Sequence, residues 1–393
     1  MQSIKTAIIG IGNMGSAHAE CIYNGNIDGM VLTAVCDNNT SRLNNFADLH
    51  PNIKTYANAC DMLEDDEIDA VIIAVPHILH AELAIKALKR GKHILVEKPI
   101  DISVSKAIEL NEAAKKSDRV FSIMFNQRTN PLYIKARELI KSGQLGDIRS
   151  TTWIITNWFR TQSYYDSGDW RATWAGEGGG VLLNQCPHNL DLWQWICGMP
   201  NSVTAFCDIG KYHNIEVEDN VKILTRYKNG ANGTFITSTG EYPGTNRLEI
   251  SGNNGKLVLE NKTLKLWKLE SSVSSVCESS KEFFANIPYE YSEFTQDDEE
   301  SGHMGILQNF TDAILHGKEL ISPGTDGIYE LTLSNAAYLS QWKSNAEITL
   351  PFDAEGFDTI LSEKAKNSKY VHIASNTVPS GSYSERWKVK WEK

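Results

Sequence analysis

The chain has no apolar run near the ~20 residues that a membrane span needs, no CxxC pair, and no surplus of basic residues. The first absence argues against a membrane-spanning helix. The seven cysteines are scattered and odd in number, so they read as reduced thiols of a cytoplasmic protein; neither a zinc site nor any other metal is called for. Lys and Arg number 38 against 49 Asp and Glu, and a formal charge of −11 repels phosphate backbones, which argues against nucleic acid as a partner. The opening MQSIKTAIIGIGNMG lacks the basic head, long apolar stretch and cleavage site of a secretory signal.

What is present is a chain of 393 residues, long enough for two domains of ~100–200 residues that need no covalent staples. In the first third, apolar strands are expected at Ile4–Ile9, Val31–Asp37, Ala70–Val75, His93–Val96 and Val120–Phe125. Helices are expected at Ser16–Tyr23, Ala81–Lys89 and Val104–Ser117. Nearly continuous apolar strands separated by amphipathic helices imply an α/β unit with a parallel sheet covered on both faces. Beyond residue 127 the pattern changes. A helix at Pro131–Lys141 gives way to alternating segments at Ile148–Trp158, Val203–Ile209, Asp219–Tyr227, Gly233–Thr239, Arg247–Ser251 and Lys256–Glu260. Turns at Asn229-Gly230 and Asn253–Gly255 make this an antiparallel meander. The domains are therefore expected at 1–126 and 127–352. The acidic run Gln296–Ser301 reads as a solvated loop. A polar extension, 353–393, carries Trp387 and Trp391 and either docks on a neighbouring subunit or stays loose.

Gly10-Ile11-Gly12-Asn13-Met14-Gly15 follows the first strand and opens a helix, and Asp37 ends the next strand. Gly10 permits the tight turn, Gly12 admits a pyrophosphate, and Gly15 lets the helix pack closely. The helix N-terminus offers N–H groups to phosphate. Asp37 accepts from ribose hydroxyls and repels a 2′-phosphate, which favours NAD; Arg42 keeps NADP open. Lys98, in Glu97-Lys98-Pro99, stands at the carboxyl end of a strand, the edge where open α/β sheets bind ligands.

Four motifs occur in order: Gly10–Gly15; Val75-Pro76-His77 with His80; Glu97-Lys98-Pro99; and the run Gly178-Gly179-Gly180 through Asn184, Cys186, His188 and Asp191. Over about residues 4–350 the chain resembles the Gfo/Idh/MocA oxidoreductases, and within them the levoglucosan, glucoside 3- and inositol dehydrogenases. The resemblance implies an N-terminal Rossmann domain and a C-terminal α/β domain with a large, open, mostly antiparallel sheet. It also implies homodimers or homotetramers. Lys98 and His188 are implied to flank nicotinamide and substrate. Asn184 stands where family members usually carry Asp, so it orients without adding negative charge. The cofactor set is then Gly10, Gly12, Asn13, Met14, Gly15, Asp37, Val75, Pro76, His77, His80, Glu97 and Lys98.

Oxidising a secondary alcohol removes a proton from oxygen and a hydride from carbon. Histidine at ~6.5 suits the proton step better than free lysine at ~10.4. His188 is therefore expected to accept the proton, and Lys98 to orient the substrate and stabilise the alkoxide. The glycine-rich approach to His188 is read as room for a ligand; the plainer alternative is a helix-start histidine packed near Trp193 and Trp195. His77 and His80 either line the dinucleotide or, for His80, pack a helix. Arg128 holds substrate or ties the domains. Cys186 is read as packed, and His303 as a visitor to the pocket.

Aromatics at Trp153, Trp158, Phe159, Tyr164, Tyr165, Trp170 and Trp174, with Asn157, Arg160, Asp166, Asp169 and Arg171 among them, suit a pyranose, which shows apolar faces and polar edges; Tyr164 and Arg171 are the expected contacts. The expected activity is NAD-dependent oxidation of a secondary ring hydroxyl, such as C3, of a sugar, glycoside or polyol. Two alternatives use the same residues. One is a glycosidase in which transient oxidation permits elimination, and the other is a sugar sensor without turnover.

Overall fold

The computed structural model describes residues 3–168, 170–296 and 301–368. Asp169, most of the acidic run Gln296–Ser301, and Trp387 and Trp391 lie outside them. Six short strands form a parallel sheet: β1 (Ile4–Ile9), β2 (Met30–Cys36), β3 (Lys54–Tyr56), β4 (Ala70–Ile73), β5 (His93–Val96) and β6 (Phe121–Ile123). Their spatial order is β3-β2-β1-β4-β5-β6. The order reverses between β1 and β4, whose carboxyl ends Ile9 and Ile73 pair in register, and a ligand crevice opens at such a switch point. β4 and the last four residues of β1 are buried outright, which is why they read as continuous apolar runs. The edge strand β3 escapes a hydrophobicity reading because its Lys54 and Thr55 face solvent.

The second sheet has nine strands: β7 (Ile148–Ile155), β8 (Ser202–Ile209), β9 (Glu218–Arg226), β10 (Asn232–Ser238), β11 (Asn246–Gly252), β12 (Gly255–Glu260), β13 (Thr263–Leu269), β14 (Tyr289–Thr295) and β15 (Ile348–Thr349). Their order is β14-β13-β12-β11-β7-β10-β9-β8-β15. It is mostly antiparallel but not a simple meander, because β7 lies parallel to β10 and separates it from β11. A parallel pair needs a long crossover: residues 156–201, carrying the helix Pro187–Cys197, cross to β8, and the antiparallel pairs β8–β9 and β9–β10 lead back to β10 beside β7. The β12–β13 hairpin turns on Asn261 and Lys262, both at positive φ; the lysine there hides the turn from a sequence reading.

The helix Pro131–Lys141 forms where the sequence places it, with the Asn130 side chain accepting from the Leu132 N–H at 2.9 Å and proline in the first turn. The helix Gly327–Trp342 packs across β8 and against the helix Pro187–Cys197. Part of the expected extension belongs to the core. The helix Ala354–Lys366 buries Phe357 and Leu361, and Phe357 stacks on Trp342 with ring centres 5.2 Å apart. Apolar residues four apart on an otherwise polar helix are enough to dock it. Among the described residues no helix is long and apolar enough to cross a membrane.

Candidate active site

The cradle at the end of β1 is built from three glycines with three different needs. Gly10 has φ +86°, and a Cβ there would lie 2.5 Å from the Ala74 carbonyl oxygen. A Cβ on Gly15 would lie 1.7 Å from the Gly10 oxygen, so the helix Asn13–Tyr23 can pack only with glycine there. At Gly12 an added Cβ meets nothing within 4 Å, and the helix starts without a side-chain cap. Open space before uncapped N–H groups suits a pyrophosphate. Met14 lies in the same first turn, and Val75-Pro76 follows β4 on the opposite lip.

Asp37 follows β2 and is almost buried, at 6 % exposure. Its carboxylate accepts from the Ile11 and Asn39 N–H groups and from Arg42 Nη1, each at 2.9 Å. The carboxylate is thus fixed beside the glycine turn, and Arg42 is spent on it. The residues present fit a dinucleotide: Gly12 would face its pyrophosphate and Asp37 a ribose.

Glu97 follows β5 and is 6 % exposed. His18, on the glycine-turn helix, bonds it through Nε2 at 2.8 Å. Burial alone would raise the Glu97 carboxyl, but the His18 bond and the charges of His18, His303 and Lys98 outweigh it and hold the pKa at about 2. His18 was not singled out from the sequence, although it sits three residues after Gly15 on the buried face. His303 comes to the same place from the helix Gly302–His316, its ring centre 6.0 Å from that of His18. Burial lowers its pKa to about 4. Lys98 precedes Pro99 across a cis peptide and donates through Nζ to the Asn184 carbonyl oxygen at 2.8 Å. Burial pulls its pKa below the ordinary lysine value.

Asn184 belongs to the long crossover. Its loop is anchored by buried Glu218, which accepts from the Gly180 and Leu182 N–H groups at 2.9 Å and from Tyr338 at 2.7 Å. Burial pushes the Glu218 carboxyl up to about 7 against these three donors. The triple glycine serves this packing. A Cβ on Gly179 would strike Tyr338, and one on Gly180 would strike the Glu218 carbonyl. The expectation that the run makes room for a ligand is corrected: the space is taken by the protein.

The Asn184 amide is held on both sides. Its Oδ1 accepts from Tyr164 at 3.0 Å and from Gln185 at 3.1 Å, and its Nδ2 donates to Glu177. Glu177 is 1 % exposed and also accepts from the Ala172 N–H at 2.6 Å. Burial raises its carboxyl. Arg171 donates to the Tyr164 hydroxyl at 2.9 Å. No bond runs from Asn184 to His188. His188, second residue of the helix Pro187–Cys197, has a buried Nδ1 without a partner. Burial, then the Lys98 and His303 charges, drives its pKa well below 6.5. Trp158 donates to Asn189 at 3.3 Å and lays the 157–160 segment over the start of this helix. Two more buried acceptors there lack partners, Asn157 Oδ1 and Gln185 Oε1.

Other candidates go elsewhere. Arg128 is 1 % exposed. Asp191 takes its Nε and Nη2 at 2.8 and 2.6 Å, and Asp326 takes Nη1 at 2.7 Å. Its fork is spent on tying three segments together, so a substrate contact is corrected to a structural one. His80 is 1 % exposed and bridges the Pro99 and Val75 carbonyls at 2.7 and 2.8 Å, setting the lip rather than lining it. His77 is buried edge-on against Trp170. Cys186 bonds Thr237, and burial pushes its thiol up to about 12, as befits a packed side chain. Sequence reasoning also missed Glu177 and Glu330. The latter is wholly buried, both its oxygens lack partners, and burial raises its carboxyl well above 4.5. Neither glutamate stands in a spacing that marks it. Among the described residues no cluster of His, Cys, Asp and Glu suits a metal.

Residues 4–125 match an oxidoreductase family with an NAD-binding Rossmann fold, and residues 133–258 match the GFO/IDH/MocA C-terminal domain. Myo-inositol 2-dehydrogenase of Thermotoga maritima is 26 % identical over 266 residues, 66 % of this chain and 75 % of the relative. The WlbA dehydrogenase of Bordetella pertussis, solved with NADH and UDP-GlcNAcA, superposes with a TM-score of 0.75 at 25 % identity, covering 90 % of this chain and 99 % of the other. Levoglucosan dehydrogenase, solved with NADH and levoglucosan, superposes at 0.74 and 21 % identity over 89 % of this chain and all of the other, a likeness of fold.

Proposed function

Because the chain belongs to the GFO/IDH/MocA oxidoreductases, we propose that it oxidises a secondary ring hydroxyl of a sugar, glycoside or polyol, C3 in the first instance. NAD, when bound, takes the hydride. The observation that carries this reading is the bond from Lys98 Nζ to the Asn184 oxygen. It joins the cofactor edge of one domain to the loop that leads into His188 in the other. Around it, His188 Nδ1 and Gln185 Oε1 are buried polar atoms without protein partners. Such atoms cost free energy unless a ligand satisfies them, and a polyhydroxylated ring presents both donors and acceptors.

The pKa shifts favour a division of labour opposite to the one expected from free side chains. Burial lowers Lys98 toward neutrality and lowers His188 away from it. A general base works best when its pKa is near the working pH. Lys98 therefore takes the hydroxyl proton, and neutral His188 orients the hydroxyl through a hydrogen bond. Asp37 selects NAD over NADP, because Arg42 is already paired with it. The outer face of the second sheet exposes Phe206 and Leu224 on adjacent strands, which supports homo-oligomerisation through that face.

The test is a panel of inositols, hexoses and glycosides incubated with NAD or NADP and read by nicotinamide absorbance. Net NADH formation with a ring secondary alcohol is expected. Absence of turnover across the panel would overturn the dehydrogenase reading, and turnover without net NADH would point to transient oxidation.

A further inference from the structure

We infer that the substrate is an acidic carbohydrate, whose carboxylate or phosphate oxygens are taken by Arg171 and Arg160; this rests on the dehydrogenase reading above. Both guanidinium groups lie on one ring. The Arg171 carbon Cζ is 4.7 Å from the centre of Tyr164 and 4.7 Å from that of Trp170. Arg160 Cζ is 5.1 Å from Tyr164 and 5.7 Å from Trp158. Two like charges gathered on one aromatic side chain repel each other. Among the described residues neither makes an ion pair. Arg160 bonds the Trp158 and Phe159 carbonyls, and Arg171 bonds the Tyr164 hydroxyl through Nη1 alone. The Nε–Nη2 edge of Arg171 is therefore uncommitted, and that edge matches two oxygens of one acidic group.

The pair belongs to the reaction centre. Arg171 Nη1 bonds Tyr164, Tyr164 bonds Asn184 Oδ1, and the Asn184 carbonyl bonds Lys98 Nζ. Glu177, the carboxyl facing this group, is spent on Asn184 and on the Ala172 N–H. Lys98 has the carboxyls Glu97, Glu330 and Glu177 around it, whereas Arg160 and Arg171 make no ion pair among the described residues. Beside them lies Gln185, whose Nε2 donates to the Tyr164 hydroxyl at 3.2 Å and whose buried Oε1 lacks a partner, which suits a ligand hydroxyl. A hydroxyl acceptor next to guanidinium donors that lack an ion pair describes a polyol that carries an anion.

The experiment compares matched sugars of one ring configuration, such as a hexose, its uronate and its phosphate, with NAD and nicotinamide absorbance as the readout. The acidic member is expected to exceed the neutral one in kcat/KM by about tenfold or more, mainly through KM. That KM should rise with ionic strength. Preference for the uronate over the phosphate, or the reverse, identifies the acidic group. In Arg171→Gln and Arg160→Gln the ratio of acidic to neutral kcat/KM should collapse, with Arg171→Lys retaining part of it. Neutral sugars turned over as well as their acidic counterparts would overturn this inference and leave the dehydrogenase intact. No turnover of any member, acidic or neutral, would remove the dehydrogenase reading with it.

Discussion

Two neighbouring side chains separate here by what burial does to each. The same desolvation that lowers Lys98 toward the working range takes His188 out of it. Lys98→Met is accordingly expected to reduce kcat by about 100-fold or more, the usual loss when a general base is removed. His188→Asn, which keeps a hydrogen-bonding group, should cost less. Steady-state NADH formation by the two variants checks this, and the reverse order would return the proton to His188. His303 gives a prediction about acid. Its pKa is about 4 when folded and ~6.5 when unfolded. Between those values the unfolded chain binds the proton and the folded one does not, so stability falls as the pH drops from about 6.5 to about 4. In His303→Asn the melting temperature should fall less steeply across that window. Parallel curves for the two proteins would show that His303 contributes nothing.

At the scale of the turn and the loop, the glycines divide into those that serve the fold and those that serve the ligand. Gly12→Ala has open space for its methyl group. Its melting temperature should stay near that of the parent, while NADH binding, measured by fluorescence titration, weakens because the methyl group stands where the pyrophosphate approaches. Gly180→Ala should do the opposite. Its Cβ would lie 2.0 Å from the Glu218 carbonyl oxygen, and overpacking of this kind costs about 1–3 kcal/mol, visible in chemical denaturation. A Gly180→Ala protein of undiminished stability would contradict the packing role. The two glycine motifs look alike as strings of letters. Only Gly12 has a job that its neighbours in sequence reveal, because the strand before it, the helix after it and Asp37 are all close along the chain. Gly179 and Gly180 answer to Tyr338 and Glu218, which no local spacing announces.

For the whole molecule, Arg128 is the joint. It links the segment after β6 to the helix Pro187–Cys197 through Asp191 and to the approach to the helix Gly327–Trp342 through Asp326. Arg128→Met leaves Asp191 buried without its partner, and breaking such a pair costs about 3–5 kcal/mol. Urea denaturation is expected to show that loss, and a change within error would mean that the cluster is dispensable. The exposed face of the nine-stranded sheet belongs to the same scale. Leu224→Glu, which puts charge among Phe206 and its neighbours, should shift the protein to a smaller species in size-exclusion chromatography with light scattering. An unchanged mass would remove that face as the contact.

The sequence by itself determined the parallel sheet, the dinucleotide cradle and the lysine at its edge. Each depends on periodicity or on residues a few positions apart, where backbone geometry alone sets who meets whom. Tertiary structure decided the rest. Lys98 meets Asn184 across 86 positions and Arg128 meets Asp326 across 198. Whether a buried glutamate near Lys98 is paired, or an arginine is spent, depends on which polar groups remain after the domains close over them. Desolvation and the exclusion of alternative partners act only on the folded chain, so the site's charge balance could be read only there.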